Sequence, residues 1–503
     1  MKNFGHDIRY ALRQLRNSPG FAFTAILTLA LGIGANSTIL SWISGTLLNS
    51  VHGGARTADM VTIMRGERSE HPTPPFSYPD FVDLRAQAKS FSGMLAYHHD
   101  FVSLTGAATP ERIYGELVTA DYFELLSVRP VLGTGLLAAG SNETANDPVA
   151  VLGYGLWQGH FGGDPHIVGK SIDINLHRYT IVGVAPKGFT GCATGVRSDI
   201  FLPLGDVAAV WRWNPLQDRG NAFLNVLAVL RQGVSMGQAQ SEVSLIVQRI
   251  AARYPESHRG NNAISLDPLW RSPFGANVYL AGTLTILLAL AALLLLLACA
   301  NVANLLLVRS VSRRREIAIR LSMGASRGQL FRQLMVENLL LAAGGCAVAL
   351  AITSWSARTL ASFIPAIDLP LDINGRLDGR VLLATVAISV LTALVAGVGP
   401  TLRAAALSPM EILKDEAANS SGGVRKSRTT RVLVVLQVAL SLVLLACAGL
   451  FVRSLENAGR IDPGFDPRHV YLASFELGPL GYSQARALEF DRQLLARVRA
   501  LPG

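Results

Sequence analysis

From residue 272 to residue 308 the chain carries no charged side chain, and the middle of that stretch, 286–300, is almost wholly leucine, alanine and isoleucine. A run of this kind has to lie in lipid. About 20 apolar residues fill a bilayer core, so a helix over 278–308, at 1.5 Å per residue roughly 46 Å long, crosses it and projects beyond one face. Directly after it stand Arg309, Arg313, Arg314, Arg315, Arg320, Arg327 and Arg332 against one acid, Glu316. Basic residues stay on the cytoplasmic side of a span, and this fixes the sidedness expected for the rest of the chain.

Half of the 503 residues are hydrophobic and only 16% are charged, with the charges gathered between apolar blocks. That pattern is foreign to a soluble enzyme. A formal net charge of +10 would suit nucleic acid, but the excess sits beside the spans, where it sets topology, and no basic and aromatic stripe occurs elsewhere. No nucleic-acid partner is expected. Cys299, Cys346 and Cys447 fall in apolar spans, which leaves Cys192 alone in the soluble region and rules out a disulfide framework there.

In chain order, residues 1–20 form a basic amphipathic segment with Phe4, Ile8, Leu12 and Leu15 at helical spacing, suited to the inner membrane surface. The first span, 21–48, is longer than a signal-peptide core and has no convincing cleavage site, so it is read as retained. Gly32, Gly34 and Asn36 give it a small, polar stripe of the kind that packs helices, and Asn301 and Asn304 are assigned the same role in the second span, 278–308. An inner basic segment, 309–333, leads to a third span, 334–360, an outer loop, 361–378, and a fourth span, 379–402. Glu337 and Asn338 lie near the inner end of the third span, where they can reach the interface, so they do not imply a proton relay. A second inner basic linker, 403–431, and a fifth span, 432–453, follow. Residues 454–503 repeat the order seen at the front of the chain, so a second outer domain is expected to begin there and the chain to be the front part of a longer, duplicated protein.

The block 49–277 has no span and is expected outside the cytoplasm. Strands are predicted at 60–65 and 94–104 around a helix at 78–90, and again at 222–230 and 263–266 around a helix at 235–254. Two such units separated by a long stretch predict a split ferredoxin-like unit interrupted by a strand-rich insertion with strands at 113–118, 149–152, 171–175, 179–184 and 199–202. The predicted fold class is therefore an α-helical transmembrane protein with a large extracytoplasmic α/β (α+β) domain.

Chemistry-bearing motifs are thin. Gly163-Asp-Pro-His-Ile-Val-Gly169-Lys170-Ser171 looks like a phosphate-binding loop, but its gap is one residue too long and residues 171–175 alternate like a strand where the motif requires a helix. It reads as a turn with Lys170 solvated. His98 and His99 are neighbours on a strand and point to opposite faces, so they do not share a metal; a solvated position is expected for both. Trp211 and Trp213 read as a loop anchor. No catalytic constellation, Walker motif, metal site or cofactor site is predicted.

The arrangement and its motifs together resemble the MacB/FtsX-like permeases of ABC transporters, most closely the duplicated orphan permeases of acidobacterial type. The resemblance rests on Asn17-Ser-Pro-Gly-Phe21 with Ala30-Leu-Gly-Ile-Gly-Ala-Asn36, on Phe161-Gly-Gly-Asp-Pro165 with Val168-Gly-Lys170, and on Cys299-Ala-Asn-Val-Ala-Asn-Leu305 with Arg315-Glu-Ile-Ala-Ile-Arg320 and Met323-Gly-Ala-Ser326. It implies a non-enzymatic permease subunit in the inner (plasma) membrane with a cytoplasmic N-terminus. It also implies a separate cytoplasmic ATPase subunit, a second permease copy or homodimer, contact with membrane lipid and an outer partner. The ATPase-coupling residues would be Arg313, Arg314, Arg315, Glu316, Ile317, Arg320, Gly324, Ala325 and Ser326. A transmembrane signalling or scaffold protein and a membrane-anchored hydrolase are the other readings that the sequence leaves open. The charge pattern predicts that an impermeant thiol reagent applied from outside labels an engineered cysteine at Ser90 but not one at Ser326; the opposite labelling overturns the topology.

Overall fold

Along Met60–Arg65 (β1) successive side chains enter different cores: Val61 and Ile63 join one apolar cluster and Met60 another. A strand buried on both faces belongs in the middle of a sheet, and β1 indeed has a neighbour on each side. The computed structural model describes residues 4–45, 59–65, 76–105, 110–138, 148–193, 195–211, 213–258, 263–272, 277–323, 326–360, 379–405, 428–460, 470, 477–478 and 481–501. It divides into two units, one of strands with short helices and one of long helices.

The sheet unit begins with β1, then helix Tyr78–Gln87 (α3), strands Phe91–Thr105 (β2) and Glu111–Val118 (β3), and helix Tyr122–Leu125 (α4). Next come Leu132–Gly133 (β4), Val149–Leu152 (β5), helix Tyr154–Gly159 (α5), Ser171–Ile174 (β6), His177–Val184 (β7) and Ile200–Pro203 (β8). Helix Val207–Trp211 (α6), strand Asn225–Leu230 (β9), helix Met236–Arg253 (α7) and strand Ile264–Pro268 (β10) follow, and the helix Gln484–Arg499 is grouped with them. The strands run β10-β1-β9-β2-β3-β8-β5-β7-β4, with β6 pairing β2 and β7. The first four neighbours are mutually antiparallel. They are the strands of two β-α-β units in the order fourth, first, third, second, which is the split ferredoxin-like arrangement. Tyr78, Phe81 and Leu84 of α3 and Ala239, Val243 and Ile246 of α7 join the cluster that holds Val61, Ala96 and Val226, so both helices cover one face. Ser235 caps α7 in a reciprocal box with Gln238, the signature of a helix start.

The inserted strands do not stand apart as a second subdomain. The fifteen-residue β2 pairs with β9 through its first half and with β3 through its second, so the sheet continues into the insertion by way of a parallel β3–β8 contact.

Two buried carboxylates tie distant segments of this unit together. Asp80 accepts hydrogen bonds from Arg219 at 2.6 Å and Arg65 at 3.2 Å, and His258 Nε2 lies 3.0 Å away. Glu116 accepts from the Tyr122 and Ser198 hydroxyls, each at 2.7 Å, and from the Cys192 amide at 3.3 Å. Gly191 holds φ +100° beside it, and a methyl there would run into the Glu116 carboxylate. Burial, and after it the charge of Glu116, pushes the Cys192 thiol up, so the thiol stays protonated and is no nucleophile.

The helical unit comprises Phe4–Arg16 (α1), Pro19–Ile43 (α2), the bulk of Asn277–Ser312 (α8), Arg314–Ser322 (α9), Arg327–Leu360 (α10), Gly379–Ala405 (α11) and the helix Arg428–Gly459. Among the described residues, five helices are long and apolar enough to cross a membrane: Pro19–Ile43, Gly282–Arg309, Arg327–Ser356, Gly379–Val398 and Arg431–Gly459. The third begins earlier than its hydropathy predicts. Ser326 and Gln329 form a capping box through both backbone amides, so Arg327 and Arg332 belong to the helix of the span itself. α2 lies along α10 and, with α11, packs around it.

Removing the buried Asp80 carboxylate takes the shared partner from two guanidiniums and an imidazole, of which Arg219 keeps Asp83 and His258 keeps the Tyr254 carbonyl. Asp80→Ala is expected to destabilise the sheet unit by about 3–5 kcal/mol, measured as a lowered denaturation midpoint of its tryptophan fluorescence.

Candidate coupling site at the basic end of the helical unit

Glu316, Ile317 and Arg320 recur at three- and four-residue spacing along α9, with Arg313 in step just before its start. Ile317 is buried against Leu330 and Leu334 of α10, which turns their side of the helix inward and brings its charged neighbours with it. Glu316 accepts hydrogen bonds from Arg320 at 2.6 Å and from the Tyr10 hydroxyl of α1 at 2.8 Å. Arg320 also donates to the Tyr10 oxygen at 2.5 Å and to Gln333 of α10 at 3.1 Å. Burial, and then the bond to Glu316, pushes the Tyr10 phenol above its ordinary value, so it is a neutral donor at physiological pH.

A second cluster lies one turn back. Glu337 of α10 accepts from Arg313 at 3.1 Å, and Arg309 of α8 lies 3.0 Å from its other oxygen. Arg309 further donates to Ser18 Oγ at 2.8 Å and stacks over the Phe21 ring at 4.1 Å. The end of α8, the start of α9, α10 and the junction of α1 with α2 therefore meet at one carboxylate, whose side chain is only 6% exposed. At the rim, Asp7 of α1 accepts from Arg332 of α10 at 2.8 Å. His6, Asp7, Arg320, Arg332 and Gln333 line an open cavity of about 290 Å³ beside this pair.

Helix α1 turns Asp7, Tyr10 and Ala11 toward the bundle and leaves Leu12 54% exposed. Of its apolar stripe, Leu15 packs partly buried against the core of the helical unit while Leu12 faces outward, so α1 is held by both apolar and polar contacts. Beside the charged residues of α9, Ile319 is 50% exposed, and Met323, just beyond the end of the helix, is 74% exposed.

Of the residues the sequence nominates for coupling, Arg313, Glu316, Ile317 and Arg320 come together. Arg314 and Arg315 lie in α9, Ser326 caps α10, and Gly324 and Ala325 fall outside the described residues. Tyr10, Asp7, Glu337 and Arg309 escaped sequence reasoning as members of this site; the signal available was the i, i+3 spacing of Asp7 and Tyr10 on a helix with an excess of arginine. In the spans, a methyl on Gly32 would sit 3.0 Å from the Ala298 Cβ of α8, and one on Gly34 would lie 3.6 Å from the Ala349 Cα of α10. Asn36 donates to the Ala291 carbonyl of α8 at 2.7 Å, and Asn304 donates to Gln437 at 2.9 Å. Asn301 leaves its buried side-chain oxygen without a hydrogen bond.

The other nominated or rejected motifs resolve as follows. Gly162, Gly163 and Gly169 hold positive φ, Ser171 opens β6 rather than a helix, and Lys170 pairs with Asp164 at 2.5 Å. The expectation of solvated histidines is corrected: His98 packs against Trp211 and bonds the Phe223 carbonyl at 2.7 Å, and His99 stacks on Tyr114 beside Glu116. Aromatic neighbours that are distant in sequence cover both rings. Trp211 hydrogen-bonds Asp100 and stacks on Trp213.

The two ion-pair sites differ in depth and so in weight. Glu337→Ala removes the carboxylate shared by two largely buried guanidiniums and is expected to cost about 3–5 kcal/mol. Asp7→Ala breaks a solvated pair and is expected to cost about 0.2–1 kcal/mol. Thermal denaturation of the purified full chain in one detergent checks both.

Residues 22–246 match the MacB-like periplasmic core domain, and residues 288–409 match the FtsX-like permease C-terminal domain. The macrolide export ATP-binding/permease protein MacB of Azoarcus sp. (strain BH72) is 27% identical over 401 residues, covering 78% of this chain and 55% of that protein. YknZ of Bacillus subtilis (strain 168), an uncharacterised ABC transporter permease, is 25% identical over 249 residues, covering 50% of this chain and 57% of that protein. The chain spans a little over half the length of these curated relatives. The periplasmic region of MacB from Actinobacillus actinomycetemcomitans aligns with a TM-score of 0.33 at 13% identity, covering 46% of this chain and 94% of that one. With both domains matched in family order along one chain, this protein belongs to the MacB/FtsX-like permeases of ABC transporters.

Proposed function

We propose that the chain is the permease subunit of an ABC-type transporter and couples ATP hydrolysis by a separate cytoplasmic ATPase to movements of its domain at 49–277. In this reading the protein sits in the inner membrane with α1, α9 and the start of α10 on the cytoplasmic side, where the arginine excess belongs. The observation that carries it is the exposed apolar pair beside the engaged charges of α9. Glu316 and Arg320 of α9, with Arg313 just before it, are engaged with α1 and α10. Beside them Ile319 of α9 and Met323, just past its end, are exposed. Two large apolar side chains at this point between spans suit a partner's hydrophobic pocket. The names of the relatives, which join ATP-binding with permease and export, support an ATPase as that partner.

This assignment shifts the contact from the charged residues to the apolar ones. Glu316 and Arg320 position α9, and Ile319 and Met323 meet the ATPase. Met323→Asp combined with Ile319→Asp is expected to lower the ATPase recovered with the full chain from its native host by at least tenfold, with the permease still inserted. Undiminished recovery sinks the reading and leaves the pair resting on lipid.

A further inference from the structure

The polar contacts at the basic end are graded. Glu337, Arg309 and Arg313 are nearly closed to solvent, whereas Glu316 is 42% and Arg332 45% exposed. A desolvated cluster resists opening because separation would leave charges unpaired away from water. A solvated seam opens readily, since water and salt replace its partners. The first cluster sits at the root of α9, the second along its length and at the rim.

We propose that α1 is a detachable latch on α9: Tyr10 and Asp7 clip it to α9 and α10, and α9 pivots about the Arg313–Glu337 contact when the clip opens. Tyr10 is the pin, since its one hydroxyl donates to Glu316 and accepts from Arg320. Asp7 holds α1 in register for that pin through Arg332. The pivot stays attached to the head of α2, because Arg309 binds Glu337 and Ser18 together. While the clip is closed, α9 and the first span are tied through α1; once it opens, α9 tilts free of α1 and only the Arg309 link to the head of α2 remains. The latch consists of contacts within the chain and stands whether or not α9 meets an ATPase.

Hydrogen–deuterium exchange of the full chain in nanodiscs of phosphatidylethanolamine and phosphatidylglycerol tests the latch without any ATPase, so its failure is distinct from failure of the docking assignment. Thirteen residues make a marginal helix alone, so α1 should lose protection when unclipped. Asp7→Arg and Arg332→Asp are each expected to speed exchange in residues 5–16 at least fivefold, and the double exchange of the two residues to restore slow exchange. Tyr10→Phe is expected to speed exchange in residues 314–322 by a similar factor. Unchanged exchange in the single variants shows α1 held by lipid alone and overturns the latch, as does a double variant that stays fast. Faster exchange in α1 with none in α9 for Tyr10→Phe overturns the link between them. Recovery in the charge-swapped pair also separates a broken latch from a misfolded chain.

Discussion

A carboxylate held between two guanidiniums sets the geometry of the helical unit. Glu337 lies within the helix of a span, where an ionised side chain is costly unless it is paired. Arg309 and Arg313 meet that need from two helical segments, and Arg309 brings Phe21 and Ser18 with it. The pairing therefore specifies where α8 ends, how α9 leaves it and where α2 begins. Apolar packing alone would not, because leucine-rich faces attract one another in many registers.

The sheet unit uses the same device without lipid. Asp80 gathers partners from β1, from the segment before β9 and from the segment after α7, and Glu116 gathers them from α4 and from the loop before β8. Each carboxylate stands on a regular element, α3 or β3, and reaches backbone that no regular element orders. Hydrogen bonds to a buried charge are directional and strong, and they fix loops whose apolar residues would fit several arrangements.

Alternation and helical spacing made the regular elements legible. The strands at 60–65 and 149–152 and the helix at 235–254 read correctly because their apolar periods match their burial. The fourfold strand order followed from recognising two β-α-β units. The joining of the insertion to the same sheet did not, because the β3–β8 pairing links residues about 85 apart through backbone bonds that leave no trace in composition. The site was half legible for a related reason. The sequence nominated Glu316 and Arg320 together in one coupling segment, but it could not say whether they met a partner or another part of the chain. Tyr10 was invisible because a tyrosine on an amphipathic segment reads as interfacial until a carboxylate 306 residues away lies against it.

The helix Arg428–Gly459 shows the limit of apolar information most clearly. Its span presents valine and leucine on every side, and none of that window is buried. Ridges of this kind slide over one another with little change in energy. Gln437 breaks the degeneracy, since an amide in hydrocarbon needs a partner and Asn304 of α8 provides one at 2.9 Å. One interhelical hydrogen bond contributes only about 0.6–2 kcal/mol in a membrane, too little to hold two spans together. It is enough to choose one register over others that differ by less, so polar residues in these spans act as selectors of position while the lipid and the apolar faces supply the attraction.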